Sequence, residues 1–446
     1  MIAIMPVFFA VVLAVFAQVL TRFEEARRAR RIATAGVAVL VATSLIRMLF
    51  AGSSFGDATL VLGSRFEIIG QGWRTALPTV NLLVALLAVG LAPVSTHPTR
   101  TLVAILRCVA AAIAFTSFSH PLPLMLLWAG TAWIVHQELR QWGDSGRQMA
   151  RVLRRYHIPS VVFAAIGTAS LLSGNVEQGA VWWMLAIVIR EAALFAHGWL
   201  PLLFTRAPLG LAVAFVAPQS GIFAHIVLFD DVSGGAIAQG FALVGVVTAV
   251  VGAVLGLVQG SALRAAAWLV ISQTGLVAFG LENTSAVGLS GAVMCWQVTA
   301  LATSGFVMTI AALGARRGTL ELAAASGSFA RTPRMAVAFL VLGFASVGLP
   351  LTLGFVAEDL LLQGSVDEFP VLGVALVVAT ALNGINVLRC FFALFSGTSD
   401  HIGERDLRPM EAAVMSVVML VLVLGGVFPR YFVPFAMRAT NIEHPK

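Results

Sequence analysis

The chain has 446 residues, of which 59% are hydrophobic and only 11% are charged, and its mean hydropathy is +0.94. Soluble globular domains carry about 25% charged residues, so this composition excludes a set of soluble domains and indicates a polytopic membrane protein. The net charge of +7 comes from arginines spread unevenly along the chain. Such a distribution is typical of membrane topology, and it argues against nucleic-acid binding.

The apolar segments, taken in chain order, predict the fold class. Segment 2–20 is followed by arginines rather than preceded by them, so it predicts a first spanning helix and not a cleavable signal peptide. A spanning helix needs about 20 apolar residues, and about fourteen such runs are present. We therefore predict an all-α polytopic membrane protein with about 14 transmembrane helices. The runs lie near 2–20, 32–52, 76–95, 101–119, 120–136, 158–174, 179–200, 208–229, 235–258, 261–281, 285–314, 335–364, 371–397 and 411–434.

The arginine positions predict the orientation of these spans. With the N-terminus outside, 19 of the 28 basic residues fall in inward loops, and 5 fall in outward loops or at the C-terminus. Loops facing the cytoplasm are enriched in Lys and Arg. The pattern predicts a bacterial inner-membrane protein with both termini in the periplasm.

The inward loop predicted at 138–157 is strongly basic. Its arginines Arg151, Arg154 and Arg155 favour one of two roles. They belong to an ordinary inward loop that touches anionic lipid, or they dock an acidic peripheral subunit.

Ionisable residues inside spans are the candidate functional residues, because a charge in the hydrocarbon core costs several kcal/mol. Arg47 and Arg107 lie near a membrane face and can extend their charge toward it. Arg190 and Glu191 lie near the middle of the seventh run, ahead of a Pro-rich segment. His225 follows a break at Pro218, and it is either a hydrogen-bonded packing residue or a proton relay.

A second candidate lies in the twelfth run, where Glu358 and Asp359 follow Gly348, Pro350 and Gly354. A helix broken by Gly and Pro frees backbone groups that need new partners or water. The adjacent carboxylates therefore predict an ion or proton site, with a buried structural cap between helices as the alternative. Two carboxylates side by side in a low dielectric would shift one titration upward.

The two broken spans occupy corresponding places in two halves of the chain. They are the seventh and the twelfth, an offset of five helices, and because five is odd the two units have opposite topology. Broken helices in inverted repeats are typical of secondary transporters. We predict two inverted five-helix repeats, at about 101–229 and 235–397, each containing a broken helix.

Several motifs resemble the antiporter-like membrane subunits of respiratory complex I (the NADH-quinone oxidoreductase chain 5 family) and of Mrp cation/proton antiporters. REAALFAHGWLP at 190–201 resembles K-S-A-x-x-P-x-H-x-W-L-P, and GLPLTLGFVAED at 348–359 resembles G-x-P-x-x-x-G-F-x-x-K-[DE]. Segments 207–210, 268–275 and 388–397 resemble further family motifs in the same order.

The resemblance covers 120–400 and implies an antiporter-like core there, with N-terminal transmembrane helices at 1–119 and a C-terminal helix and tail at 401–446. The ion or proton pathway expected from the charges and the resemblance contains Arg190, Glu191, His197, His225, Glu358, Asp359 and Arg389.

The chain departs from the family at its relay positions. Arginine replaces the lysine of the first broken helix, and it cannot be deprotonated in proteins. The other departures are Ala129 for a glutamate, Ala214 or Phe215 for a histidine or lysine, Thr303 or Ser304 for a lysine, and Glu358 for a lysine.

This pattern resembles most the DabB subunit of the Dab inorganic carbon pump, which pairs with a large peripheral DabA subunit similar to a zinc carbonic anhydrase. The resemblance implies energy-coupled CO2/bicarbonate uptake. We expect no catalytic site, metal or cofactor in this chain, so any zinc would belong to a DabA-like cytoplasmic partner.

Other interpretations remain open at this point. The chain could serve as the proton- or sodium-translocating subunit of a complex I, hydrogenase or Mrp-like assembly. It could be a non-conducting membrane anchor derived from one. A membrane enzyme acting on lipid would need a polar cluster at one membrane face, and the sequence has no obvious one.

Overall fold

The computed structural model describes residues 5–51, 58–62, 66–70, 74, 76–229, 235–323, 325, 327, 329–397 and 405–433. This part of the chain is an all-helical bundle with one short β-hairpin. Its α-helices are α1 Met5–Leu20, α2 Ala26–Ala51, α3 Leu77–Gly90, α4 Thr99–Phe115, α5 Pro121–Arg140, α6 Gly143–Leu172, α7 Val176–Arg190, α8 Trp199–Arg206, α9 Leu209–Val216, α10 Ser220–Leu228, α11 Ala236–Leu257, α12 Ala262–Gly280, α13 Ala286–Arg317, α14 Pro333–Ala345, α15 Leu353–Glu368, α16 Pro370–Phe395 and α17 Pro409–Val427.

Seven helical segments within the described residues are long and apolar enough to cross a membrane by themselves. Large apolar side chains such as Val39, Leu126 and Val371 are exposed on the outside of the bundle, at 65%, 60% and 82%. A soluble protein rarely exposes so many large apolar side chains. Composition and exposure together indicate a multi-pass membrane protein.

Three helical runs are interrupted at the places where the sequence predicted breaks. Residues 191–198 separate α7 from α8, residues 217–219 separate α9 from α10, and residues 346–352 separate α14 from α15. Ala192, Phe195, Gln219 and Leu351 have positive φ angles of 53°, 74°, 42° and 73°. Non-glycine residues rarely adopt this region, and such strained positions cluster at functional sites.

Two features differ from the sequence-based expectation. The predicted inward loop at 138–157 is wrong, because α5 continues to Arg140 and α6 begins at Gly143. At 1.5 Å per residue α6 is about 45 Å long, so its basic first turns extend well past an apolar core of about 30 Å. A hairpin pairing Ala58–Leu62 with Phe66–Gly70 was not predicted.

Several connectors meet at one end of the bundle, which we call the arginine-rich end: residues 21–25, 91–98, 141–142, 258–261 and 318–323. Arg30, near the start of α2, donates to the Ala92 carbonyl at 2.8 Å, which joins connector 91–98 to the helix that follows connector 21–25. Arg100, near the start of α4, donates to the Gln141 carbonyl at 2.8 Å, which joins connector 141–142 to the helix that follows connector 91–98. The last two are joined by the bond from the Leu322 N–H to the Gly260 carbonyl at 2.7 Å. The opposite end carries the connectors 116–120, 173–175 and 281–285.

Close backbone approach holds the centre of the bundle together. A Cβ on Gly275 of α12 would lie 2.4 Å from the Ala249 nitrogen of α11, and a Cβ on Gly291 of α13 would lie 2.2 Å from the Leu361 nitrogen of α15. Small residues at such crossings allow helices to pack tightly in a membrane. Helix α13 also packs against α3, α9, α12, α14 and α17, so it forms the axis of the bundle.

The buried side chain of His97 fixes the start of α9. Its Nε2 accepts the Gly210 N–H at 3.1 Å, while Nδ1 lies 3.1 Å from the Pro93 carbonyl. Burial lowers the pKa of His97 to about 4, so the ring is neutral at pH 7 with Nε2 free to accept. The half-helix α9 is thereby tied to the connector between α3 and α4.

We predict that the arginine-rich end faces the cytoplasm. Ser145 and Ser173 are exposed at opposite ends, whereas Cys108, Cys295 and Cys390 are buried and give little background labelling. In intact cells an impermeant maleimide should label Ser173→Cys and leave Ser145→Cys unlabelled until the membrane is opened. Labelling of Ser145→Cys alone would reverse the orientation.

These serines are better labelling positions than Gly146 and Gly234, which lie in the predicted inward and outward loops. A side chain on Gly146 would lie 2.3 Å from the Trp142 Cβ. Gly234, in the outward loop predicted after the eighth span, lies outside the described residues.

Candidate functional site

Arg190 ends α7 and lies buried at the first interruption, with 4% of its surface exposed. Its guanidinium lies 4.0 Å from the Phe215 ring centroid and 5.3 Å from that of Trp128. Nη2 donates to Thr131 Oγ1 at 2.8 Å, and Nη1 has no hydrogen-bond partner among the described residues. The charge is therefore held by two aromatic faces and a hydroxyl.

The Trp128 ring is itself fixed from behind. Its Nε1 donates to Ser160 Oγ at 3.1 Å, and that hydroxyl donates to the Ala186 carbonyl at 2.9 Å. Trp183 packs edge-on against it, with ring centroids 5.5 Å apart. The aromatic surface under Arg190 is thus rigid. Ala129, the residue after Trp128, stands where the motif resemblance predicted a glutamate.

His157 is a site residue that sequence reasoning missed. It lies on α6, is 4% exposed, and packs against Trp199 and Phe215 at 4.8 and 5.2 Å between ring centroids. Neither ring nitrogen has a hydrogen-bond partner among the described residues. Phe215 thus lies between the imidazole of His157 and the fixed cation of Arg190. Only the correct helical register of α6 could have revealed His157, and the arginines before it led to a loop prediction.

Glu191 satisfies the backbone at the second interruption. It is buried, and its Oε1 accepts the Gly221 N–H at 2.7 Å. A Cβ on Gly221 would lie 2.7 Å from Oε1, so only glycine allows this approach. An adjoining cavity of about 10 Å³ is lined by Glu191, Thr248 and Thr274, among others, which is close to the space that one water needs.

Buried polar side chains continue from this cavity to the third interruption. Gln219, at the break between α9 and α10, donates through Nε2 to Thr274 Oγ1 at 2.8 Å. Gln273, the residue before Thr274 on α12, is fully buried, and its amide lies near the Glu358 carboxyl. Neither atom of the Gln273 amide has a formed hydrogen bond within the described part of the chain.

Glu358 lies in the second turn of α15 and is 5% exposed. A Cβ on Gly348 would lie 2.6 Å from its Oε2, so the glycine at the break, with φ of 73°, makes room for the carboxyl. Glu358 forms no ion pair with any described residue. The site is therefore a buried carboxyl beside an amide, without a fixed positive partner.

The prediction that Glu358 and Asp359 share one site is wrong. Asp359 is exposed on the outside of the bundle, while Glu358 is buried. Successive residues of an α-helix project about 100° apart, so one carboxylate enters the core and the next leaves it. The two groups do not share a proton in this arrangement.

His225 forms a buried pair with Glu282, a residue just past the end of α12 that the sequence analysis did not single out. His225 Nε2 lies 2.7 Å from Glu282 Oε1, and both side chains are less than 10% exposed. Phe241 stacks on the imidazole with ring centroids 5.0 Å apart. His225 lies one helical turn beyond Gly221, toward the end opposite to the arginine-rich one.

The remaining predicted residues lie outside this polar series. Arg389 is half-buried and donates to the Gln259 carbonyl, just past the end of α11. His197 is half-buried and packs on Trp268 with ring centroids 4.9 Å apart. Arg151, Arg154 and Arg155 are exposed on the first half of α6, at the arginine-rich end.

More than half of the chain matches a known protein family. Residues 156–383, just over half of the chain, match the family described as NADH:quinone oxidoreductase/Mrp antiporter, TM. The matched segment contains all three interrupted runs.

Curated proteins give related similarities over part of their length. The chain is 28% identical to NADH-quinone oxidoreductase subunit 13 of Thermus thermophilus, over 61% of this chain and 62% of that protein. It is 27% identical to F(420)H(2) dehydrogenase subunit M of Methanosarcina mazei, over 52% and 48%. The matched part of the chain therefore spans 62% and 48% of the length of these two relatives. Their names include subunits 13, M and N, where the motifs had suggested chain 5.

Two solved structures share the whole fold. The Mrp complex of Dietzia sp. contains a chain that superposes with a TM-score of 0.87 at 16% identity, over 100% of this chain and 98% of that one. Respiratory complex I of Thermus thermophilus gives a TM-score of 0.85 at 22% identity, over 99% of both chains. With the family match across the interrupted helices, these findings show that the chain belongs to the NADH:quinone oxidoreductase/Mrp antiporter family of membrane proteins.

Proposed function

We propose that this chain is the ion-translocating subunit of a membrane complex, and that it couples a proton or sodium gradient to the work of a partner subunit. One observation carries the proposal. The three interrupted runs surround a series of buried polar groups that begins at Arg190 and ends at Glu358. Buried polar groups are costly in a membrane core and are typical of ion pathways there.

Two contacts in this series are short hydrogen bonds, and the third is the proximity of two buried side chains. Glu191 binds the Gly221 N–H, Gln219 binds Thr274, and Gln273 lies beside Glu358. One water in the cavity beside Glu191 and Thr274 would link the first two contacts. A proton, or a hydrated cation, can therefore move between two carboxyls while remaining near polar atoms.

The charges support different roles for Glu358 and Arg190, the two ends of the polar series. Glu358 has no fixed cation beside it and can gain or lose a proton. Arg190 keeps its charge at all relevant pH values and acts as an electrostatic gate on the carboxyls around it. His157, next to Arg190 through Phe215, has two ring nitrogens without hydrogen-bond partners among the described residues.

The pair of His225 and Glu282 supplies a route toward the end opposite to the arginine-rich one. His225 follows Gly221 by one turn, so the pair continues the series from Glu191. An imidazole bonded to a carboxyl offers a donor and an acceptor through which a proton can pass. We assign this pair to the periplasmic access of the pathway.

The helix order supports the proposed membrane arrangement. Counting α7 with α8, α9 with α10 and α14 with α15 as single broken spans, the described helices would make about fourteen crossings. We propose two inverted repeats around the broken spans, with both termini in the periplasm of a bacterial inner membrane.

Solved structures of this fold include the Mrp complex and complex I, so other subunits of such an assembly are the expected partners. The loss of the family's relay lysines and glutamate at Arg190, Ala129 and Glu358 favours a DabB-type subunit for inorganic carbon uptake. A DabA-like cytoplasmic subunit would then supply the zinc chemistry.

The same departures from the family also favour a competing role, a membrane anchor without conduction. Ala129 and Phe215 cannot carry protons. The two functions differ in what Glu358 must do, and substitution of this residue separates them.

We expect Glu358→Gln to abolish gradient-driven transport or growth while the complex still assembles, because glutamine keeps the shape but cannot release a proton. Asp359→Asn is the matched control on the same helix and should keep the activity, since its carboxylate is exposed. Activity is measured in the native host, and co-purification of partners measures assembly. Full activity of Glu358→Gln would establish the anchor.

We expect Arg190→Lys to retain part of the activity and Arg190→Gln to lose it, because the gate needs a fixed charge. The lysine variant should lower stability by about 1 kcal/mol, since it contacts the aromatic faces less well than a guanidinium. Thermal unfolding in detergent and the transport assay measure the two effects. Equal activity of both variants would exclude an electrostatic role.

The exposed basic face of α6 gives a prediction about docking. Changing Arg151, Arg154 and Arg155 to Glu should release an acidic cytoplasmic subunit and leave the membrane chain expressed. Co-purification from the native host is the measurement, with Arg151, Arg154 and Arg155 changed to Lys as the charge-preserving control. If the Glu variant retains its subunit, these arginines contact lipid instead.

A further inference from the structure

A groove of about 370 Å³ opens between α1, α4 and α5 at the arginine-rich end. Its rim carries Arg100 and Arg107, and its inner wall includes Val103, Ala104 and Trp133. The Trp133 side chain is 61% exposed, so the groove is open to the outer surface of the bundle. The groove takes no part in the polar series described above.

Two arginines face the same side of α4. Arg100 and Arg107 are seven residues apart, which is close to two helical turns, so their side chains lie one above the other. Arg107 is exposed, and its Nη2 donates to Gln18 Oε1 at 2.7 Å, near the end of α1. Its guanidinium is thereby turned from mid-helix toward the membrane face, as a long basic side chain in a span requires.

The groove carries a net positive charge. Arg100 lies 3.4 Å from Glu138, but that carboxylate is already bonded by the Thr101 hydroxyl at 2.6 Å and the Trp142 indole at 3.2 Å. Arg107 forms no ion pair with any described residue. One guanidinium therefore remains uncompensated at the rim, and it retains N–H groups that can donate to an anion.

The groove also has an apolar part. Val103 and Ala104 lie between the two arginines along α4, and Trp133 and Ile134 line the groove from α5, among polar side chains that include Thr99, Gln137 and Gln141. A ligand that matches both parts has an anionic head and a hydrocarbon tail. Tryptophan is also common where lipid head groups meet the hydrocarbon.

We propose that this groove is a binding site for an anionic phospholipid, with the phosphate on Arg107 and Arg100 and an acyl chain along Trp133 and Val103. Basic grooves between helices near a cytoplasmic face bind such head groups. The site anchors α1 to α4 and α5 through the lipid.

Lipid binding can be measured on the purified protein, with any subunits that accompany it, in nanodiscs. Discs of phosphatidylcholine containing a small fraction of phosphatidylglycerol serve as the probe, and native mass spectrometry counts the retained lipid. We expect selective retention of phosphatidylglycerol, weakened about fivefold by Arg107→Gln. Arg107 is exposed, so this variant should fold. Arg107→Lys should retain most of the binding.

Arg154→Gln is the matched control, since it removes an exposed arginine at the same end but outside the groove. An equal loss in this variant would show general surface attraction and overturn the site. Unchanged retention in Arg107→Gln would also overturn it. Inorganic phosphate at the same concentration tests for a free anion, and competition by phosphate as strong as by phosphatidylglycerol would exclude lipid recognition.

Discussion

The hydrogen bond from the Gly221 N–H to the Glu191 carboxylate joins two helical runs that are both interrupted inside the bundle. An interrupted helix leaves backbone donors and acceptors without partners, and hydrocarbon offers none. Neighbouring side chains meet this demand at each break. Thr248 accepts the Leu194 N–H at 2.9 Å, and the Trp199 indole donates to the Ile189 carbonyl at 3.0 Å. The polar interior of the protein follows from this constraint.

The same constraint explains how Arg190 is tolerated. A carboxylate partner would neutralise it in a tight pair, whereas Trp128, Phe215 and Thr131 stabilise the charge and leave one side of the guanidinium open. Cation–π contacts contribute about 1–2 kcal/mol each when desolvated, so this surrounding holds a charge without cancelling its field. Glu358, at the third break, has the opposite character, since it is a titratable group without a fixed partner. The pathway proposed between them uses one permanent charge and one exchangeable proton.

The arginines at the surface fall into two groups with different surroundings. Arg151, Arg154 and Arg155 lie on a part of α6 that extends past the apolar core, where water and a partner subunit are within reach. Arg107 begins within a span and reaches the same membrane face through Gln18. We propose that the first group contacts a soluble subunit and the second contacts lipid, although positive charge at one end of the chain describes both.

Much of this protein is determined by local composition. The lengths of the apolar runs predicted the membrane class, and Pro and Gly within them predicted the three interruptions. Both features can be recognised from short stretches of sequence. Charges inside apolar runs singled out Arg190, Glu191 and Glu358, and the motif resemblance predicted the family.

Only the tertiary structure decided which of these groups meet. Burial separates Glu358 from Asp359, although they are neighbours in sequence, because helical geometry turns one inward and the other outward. His157 and Glu282 were missed because their importance comes from Phe215 and His225, which are distant in the chain. Sequence specifies where a polar group must find a partner, and the packing of helices from both halves of the chain determines which partner it finds.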